Sequence, residues 1–94
     1  MIKNLPNPKE YWLKINHKMT LRQYNSLRLL QNNNCAICNR SQFLFERPLY
    51  VDHNHKTGKI RGLLCFRCNS QILVVLENYN DTYEKAKLYL KTND

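Results

Sequence analysis

Acidic residues, glycine, proline and long apolar runs are all scarce in this chain. Its 94 residues include seven Asp/Glu against fifteen Lys/Arg, two glycines and three prolines, and 23% are charged. So little glycine and proline excludes a collagen-like or low-complexity chain, and the composition is not that of a disordered one. No apolar run approaches the roughly 20 residues that cross a bilayer, and the N-terminus lacks the apolar segment of a signal peptide. We therefore expect one small domain that acts in the cytoplasm and does not enter a membrane.

The shortage of acidic residues leaves a formal net charge of +8. Such a surplus in a small protein favours a polyanionic partner, most simply nucleic acid. A solvated basic surface without any partner explains the charge equally well. Charge alone therefore leaves both interpretations open.

The beginning of the chain is polar, basic and interrupted by prolines, and it predicts a basic N-terminal arm over residues 1–19. This arm is expected to be extended or to form a short helix around residues 10–15, and His17 within it receives no role. The predicted domain covers residues 20–94. Thr20 and Gln23 have the spacing of a capping box, which predicts a helix over residues 21–31 that ends at the asparagine run 32–34. We expect this helix to be buried on more than one side.

The rest of the chain has the pattern of a hairpin followed by helices. Residues 49–53 and 59–64 are predicted strands, joined by a turn in which Gly58 supplies a positive φ, and a shorter strand is predicted at 43–45. A helix is expected to start at the second cysteine pair, and its predicted buried face consists of Ile72, Val75, Leu76 and Tyr79. Asp81 and Glu84 are expected to cap a last helix over residues 82–91.

Four cysteines form two C-x₂-C pairs, which are Cys35 with Cys38 and Cys65 with Cys68. Tetrahedral Zn²⁺ accepts four thiolates, and a two-residue spacer lets one turn present two sulfurs to the same ion. Two disulfides or a thioredoxin-like redox pair are the alternatives, and the expected cytoplasmic location and missing βαβ pattern weigh against both. A four-cysteine site has no open position, so we expect a structural zinc that contributes to folding.

A second group of chemically capable residues lies between and just after these pairs, namely Asp52, His53, His55 and Asn69. A histidine can deprotonate water near neutral pH. A hard divalent cation on oxygen ligands can neutralise a phosphate and stabilise a leaving oxygen. Asp52 and Asn69 offer such oxygens, and His53 is the expected base for the attacking water.

The string DHNHKTGKIRGLLCFRCN, set between two CxxC pairs, resembles the phage recombination endonuclease VII family of ββα-metal (HNH-type) nucleases. The resemblance runs over about residues 20–90. It implies a small zinc-stabilised α+β domain of the ββα-metal, or His-Me finger, type, flanked by helices. It also implies a DNA endonuclease that uses Mg²⁺, for which Mn²⁺ can substitute, and that acts in the cytoplasm of a phage's host.

Site residues follow from the same resemblance. It makes the four cysteines the zinc ligands, Asp52 and Asn69 the Mg²⁺ ligands, His53 the general base, and His55 a second active-site histidine that either positions the phosphate or supports the site. The pattern departs from the family at Ile72, where an acidic residue is expected one turn into the catalytic helix. Branched-DNA resolution, simple nicking and a homodimer all remain open, because longer members dimerise and grip branches through a further helical region.

Basic side chains around the hairpin are candidate DNA contacts. We expect Arg61 to bind phosphate, and Lys56 and Lys59 either contact phosphates or are ordinary solvated turn residues. The alternative function is a non-catalytic zinc-ribbon module that binds nucleic acid. That alternative accounts for the charge and the cysteines but not for Asp52, His53 and Asn69.

Overall fold

The computed structural model describes residues 7–93 of the chain. The first six residues of the predicted arm therefore lie outside the described part. Its elements are, in chain order, α1 (Glu10–His17), α2 (Leu21–Leu30), a 3₁₀ turn (Gln42–Leu44), β1 (Tyr50–His53), β2 (Ile60–Leu64), a π-helical turn (Cys68–Ile72), α3 (Leu73–Asn78) and α4 (Asn80–Thr92). A two-stranded sheet flanked by helices is a small α+β fold, as the sequence predicts.

The arm forms a helix and packs on the domain. Of the two alternatives for this segment, the structure has the helical one, α1, which ends where Lys18 adopts a left-handed φ of 50°. Leu13 is fully buried and Met19 is 7% exposed, so both belong to the core. This packing holds α1 against the hairpin, where its His17 ring reaches β1.

Helix α2 has the predicted start and end but a narrower buried face than predicted. The Thr20 hydroxyl accepts a hydrogen bond from the Gln23 backbone, and the Gln23 side chain accepts one from the Thr20 backbone. The helix is followed by left-handed Asn32 and Asn33.

The prediction that α2 is buried on more than one side is wrong. Tyr24 is its buried residue, Leu21 and Leu27 are partly buried beside it, and Leu29 and Leu30 are 65% and 81% exposed. These three inward positions follow one another at i, i+3 and i+6, which is a single helix face.

The segment before the hairpin forms a 3₁₀ turn where a strand over residues 43–45 was expected, so that prediction is wrong. The Ser41 hydroxyl accepts a hydrogen bond from the Phe43 backbone and thereby caps the turn. Gln42 is fully buried, its amide nitrogen donates to the Arg47 carbonyl, and its amide oxygen accepts from the Leu49 backbone. Local side-chain bonds thus replace the ladder that a strand would need.

The predicted hairpin is confirmed, and it contains a bulge that the sequence did not reveal. Strands β1 and β2 pair antiparallel, with Asp52 opposite Gly62 and His53 opposite Ile60, so Arg61 is an extra residue on β2. Gly58 has the expected positive φ, at 77°. A bulge re-aims side chains and often lies beside a functional site.

Helical structure begins at Phe66, directly after the third cysteine, and passes through the π-helical turn into α3. The predicted buried face is wrong, because Ile72, Leu76 and Tyr79 are 42%, 44% and 59% exposed. A π turn places one extra residue in the helix and rotates all later positions. Leu73, instead of Ile72, packs against the core.

The last helix, α4, starts before the predicted cap. Its cap position is Tyr79, no side chain caps it, and Asp81 lies in its first turn, where it pairs with Lys85 at 3.2 Å. The prediction of an Asp81–Glu84 cap is therefore wrong. Within the described residues, no helix is long and apolar enough to span a membrane.

Candidate active site

The four cysteines converge on one point. Their sulfur atoms lie within 4.8 Å of one another, and the Sγ atoms of Cys38 and Cys65 are 3.8 Å apart. Zinc–sulfur bonds of about 2.3 Å in a tetrahedron place two sulfurs about 3.8 Å apart. All four are free thiols, so the disulfide alternative is not observed. The cluster fits a structural zinc ion.

The surroundings of the cluster shift the pKa values of Cys35 and Cys68 in opposite directions. Burial opposes ionisation of Cys35, but hydrogen bonds from the backbone of Cys65, Cys38 and Ile37 outweigh it and lower the pKa of Cys35 to about 7. Burial raises the pKa of Cys68 to about 12. A bound zinc ion would remove this difference in ionisation, because zinc holds all of its sulfur ligands as thiolates.

Gln31 ties the first cysteine pair to the hairpin, and sequence reasoning missed it. Its amide nitrogen donates to the Asn34 and Leu63 carbonyls, and its amide oxygen accepts from the Leu63 backbone. A Cβ at Gly62 would meet that oxygen at 3.3 Å, so the Gln31 amide would have to shift by a few tenths of an ångström if a larger residue stood there. No sequence signal points to Gln31, because its partners lie on another element.

Asp52 is 8% exposed, and its carboxylate is held by Arg61. Arg61 Nε donates to Asp52 Oδ2 and Nη2 donates to Oδ1, both at 2.8 Å. The same Nη2 also donates to Glu77 Oε1 at 3.1 Å, and these carboxylates raise the pKa of Arg61. Phosphate binding by Arg61 stays a prediction. Glu77, which sequence reasoning missed, brings an acidic group from α3 to this cluster.

Two adjoining cavities contain the predicted catalytic residues. The first, of about 420 Å³, is lined by residues that include Asp52, His55, Lys56, Arg61, Asn69 and Glu77, and we call it the Asp52 cavity. The second, of about 340 Å³, is lined by residues that include His53 and is called the His53 cavity. Asp52, His55 and Asn69 line both and, with Val74, form their common wall. Lys59 lies on the turn and lines neither cavity.

A row of rings crosses the His53 cavity. The ring centroids of His53 and His55 are 4.6 Å apart, those of His53 and His17 are 5.4 Å apart, and Trp12 follows at 4.9 Å from His17. Burial, followed by the charge of His53, lowers the pKa of His17. His17 and Trp12 both belong to α1. The sequence could not show that they line this cavity, because α1 is a polar segment far from β1 in the chain.

The common wall offers the donors that a hard cation prefers. Asp52 supplies a carboxylate, and Asn69 supplies an amide oxygen from the helix that begins at the second cysteine pair, where its backbone N–H donates to the Cys65 carbonyl. Carboxylate and amide oxygens suit Mg²⁺. A cation bound at Asp52 has to share or displace the Arg61 guanidinium, which engages both carboxylate oxygens.

Comparison with known proteins gives one family and, among the relatives, two phage proteins. A family model described as "Recombination endonuclease VII" matches residues 10–92. The "Gene 59 protein" of Mycobacterium phage D29 is 38% identical over 73 residues, which are 78% of this chain and 44% of that protein. The "Gene 59 protein" of Mycobacterium phage L5 is 42% identical over 60 residues, which are 64% of this chain and 36% of that protein. The chain thus spans less than half the length of these relatives. No solved structure matches it.

Proposed function

Because the chain belongs to the recombination endonuclease VII family, we propose that it is a metal-dependent endonuclease that hydrolyses the phosphodiester bonds of DNA. One observation carries the proposal. Asp52, His55 and Asn69 belong to the common wall between two cavities, and His53 lines one of them. The positive net charge of +8 supports a polyanionic substrate.

In the proposed reaction His53 takes a proton from the attacking water. His53 and Asp52 both line the His53 cavity, where a scissile phosphate could meet both of them. An imidazole is suited to this step because its ordinary pKa is close to neutral. In this proposal His55 binds and orients the phosphate or supports the site, and its ring centroid lies 4.6 Å from that of His53.

Asp52 and Asn69 would hold the catalytic cation. A bound Mg²⁺ ion, or Mn²⁺ in its place, supplies neutralisation of the phosphate and of the departing oxygen. The zinc site is separate from this chemistry, since four thiolates leave no open position on zinc. Lys56 and Arg61 line the Asp52 cavity, from which they can contact the DNA backbone, and Lys59 extends that basic surface along the turn.

We expect products with 5′-phosphate and 3′-hydroxyl ends. A monomer has one such site and would nick one strand, whereas a homodimer could cut both strands. The proposed setting is the cytoplasm of a phage's host. Branched DNA and simple duplex DNA are alternative substrates within this proposal.

The test compares cleavage of supercoiled plasmid and of a four-way junction, with Mg²⁺ and in magnesium-free buffer. We expect cleavage that needs Mg²⁺, that disappears in His53→Ala, and that falls by about 100-fold or more in Asn69→Ala, since general-base and metal-ligand losses are of this order. Ser70→Ala is the matched control, because Ser70 lies one residue beyond Asn69 and lines neither cavity.

Zinc content has to equal that of the unmodified protein in every variant. Normal cleavage by His53→Ala would contradict the assignment of the base. DNA binding without any cleavage by the zinc-loaded protein would favour the non-catalytic zinc-ribbon module.

A further inference from the structure

An aromatic groove adjoins the His53 cavity. It has a volume of about 450 Å³, lies between α1 and the segment that leads into β1, and is lined by residues that include Lys9, Tyr11, Trp12, Arg47, Pro48 and Tyr50. We call it the Trp12 groove. Trp12 and Tyr50 also line the His53 cavity, so the groove opens directly beside the proposed catalytic base.

The rings around this groove are open to solvent. Tyr11 is 61% exposed and Trp12 is 37% exposed. Phe66, which is 51% exposed, continues the aromatic surface, with its ring centroid 5.8 Å from that of Tyr50. Arg47 lies among these rings, since its guanidinium is 5.8 Å from the Phe66 centroid and it donates to the Tyr50 hydroxyl at 3.4 Å.

The charge of the groove indicates which kind of partner its aromatic surface binds. Lys9 and Arg47 are among its lining residues, and no acidic residue is among those that the structure describes there. A second copy of this chain carries the same net charge of +8, so it offers this basic groove no complementary net charge. A polyanion that also presents flat rings is the partner that fits both properties.

We propose that the Trp12 groove binds an unpaired nucleobase of the DNA substrate, next to the phosphate that His53 serves. The proposal rests on the proposed function and deepens it, because it names DNA with unpaired nucleotides as the preferred substrate. Sites for single strands combine a positive groove with aromatic side chains on which bases stack. Paired bases inside a duplex have both faces covered and cannot enter such a groove.

The test measures binding alone, with zinc-loaded protein in magnesium-free buffer. Trp12 is the single tryptophan of the chain, so its fluorescence reports on the groove directly. We expect an oligothymidylate strand to quench this fluorescence and to bind about tenfold more tightly than a blunt duplex with the same number of nucleotides, as stacking of a single base would give.

Variants separate stacking from general attraction to DNA. Tyr11→Ala is expected to weaken binding of the single strand by about 5- to 100-fold, the range for loss of one stacked base, and binding of the duplex by less than about twofold. Tyr89→Ala is the matched control, because Tyr89 is similarly exposed at 65% but lies on α4, outside the groove. We expect it to bind like the unmodified protein.

Three results would overturn the proposal. They are equal affinity for single strand and duplex, equal losses for Tyr11→Ala on both, and a change in Trp12 fluorescence with protein concentration in the absence of DNA, which would place a second copy in the groove. None of them depends on cleavage. Plasmid cleavage that His53→Ala abolishes would leave the proposed function standing even if the groove proposal failed.

Discussion

Arg61 and His17 show how the position of single residues shapes the site. The sequence predicts that Arg61 contacts phosphate. In the structure its guanidinium donates a bidentate pair of hydrogen bonds to Asp52 and a further hydrogen bond to Glu77. Lysine could not reproduce this arrangement, because it lacks the planar fork of donors. Arg61 therefore links β1, β2 and α3 around the carboxylate that is proposed to hold the cation.

His17 should make the free energy of unfolding depend on pH. Its pKa is lowered from 6.5 by burial and by the charge of His53, and its buried Nδ1 has no hydrogen-bond partner among the described residues. The unfolded chain thus binds a proton more readily than the folded one, so stability is complete above about pH 6.5 and declines as pH falls through the folded pKa. We expect His17→Phe, which keeps a flat ring, to flatten this decline.

Urea unfolding between pH 7.5 and 5.5, with zinc in excess, checks this expectation. Ile15→Ala is the matched control, because Ile15 lies on the same helix, is 76% exposed and does not titrate. The control should show the same decline as the unmodified protein. An identical slope for His17→Phe would mean that His17 is protonated equally in both states.

At the scale of elements, the Gln42 side chain makes the backbone hydrogen bonds that strand pairing would otherwise make in the segment before β1. Its amide satisfies the Arg47 carbonyl and the Leu49 N–H, both at 2.8 Å, from a fully buried position. Gln42→Leu leaves these two groups without a partner, which costs about 2–6 kcal/mol of unfolding free energy at about 1–3 kcal/mol for each buried polar group. Chemical denaturation measures it, and Gln71→Leu on the exposed helix surface is the control. A loss below about 0.5 kcal/mol, typical of surface changes, would show that water replaces the amide.

At the scale of the whole molecule, the metal site is part of the core. Cys35, Cys65 and Cys68 are three of the ten buried apolar residues in the described part of the chain. A chain of this length has little else to bury, and binding of structural zinc contributes on the order of 10 kcal/mol to folding in small domains. Removing zinc with a strong chelator should therefore abolish the cooperative thermal transition.

Circular dichroism and near-ultraviolet spectra recorded during heating measure the loss of the thermal transition, with zinc content measured in parallel. Addition of Zn²⁺ should restore the transition and addition of Mg²⁺ should not, because thiolates are poor ligands for Mg²⁺. A metal-free protein that melts cooperatively at the original temperature would show that the remaining core is sufficient by itself.

Much of the fold was predictable from local sequence. The capping box at Thr20 and Gln23, the turn at Gly58 and the two C-x₂-C pairs are interactions between residues near in sequence, so their patterns are readable in the chain. The buried face after Cys68 was not predictable. The π turn that rotates it depends on how the helix packs after the cysteine pair is fixed, and periodicity cannot show that.

For the proposed site, the sequence by itself determined which metal-ligating and proton-accepting groups are available, namely those of the four cysteines, Asp52, His53, His55 and Asn69. Only the tertiary structure decided their surroundings. It brought His17 and Trp12 from α1 to His53, Glu77 from α3 to Arg61, and Gln31 to β2. The physical reason is that donor chemistry belongs to a residue, whereas a contact between distant segments exists only after the core has packed.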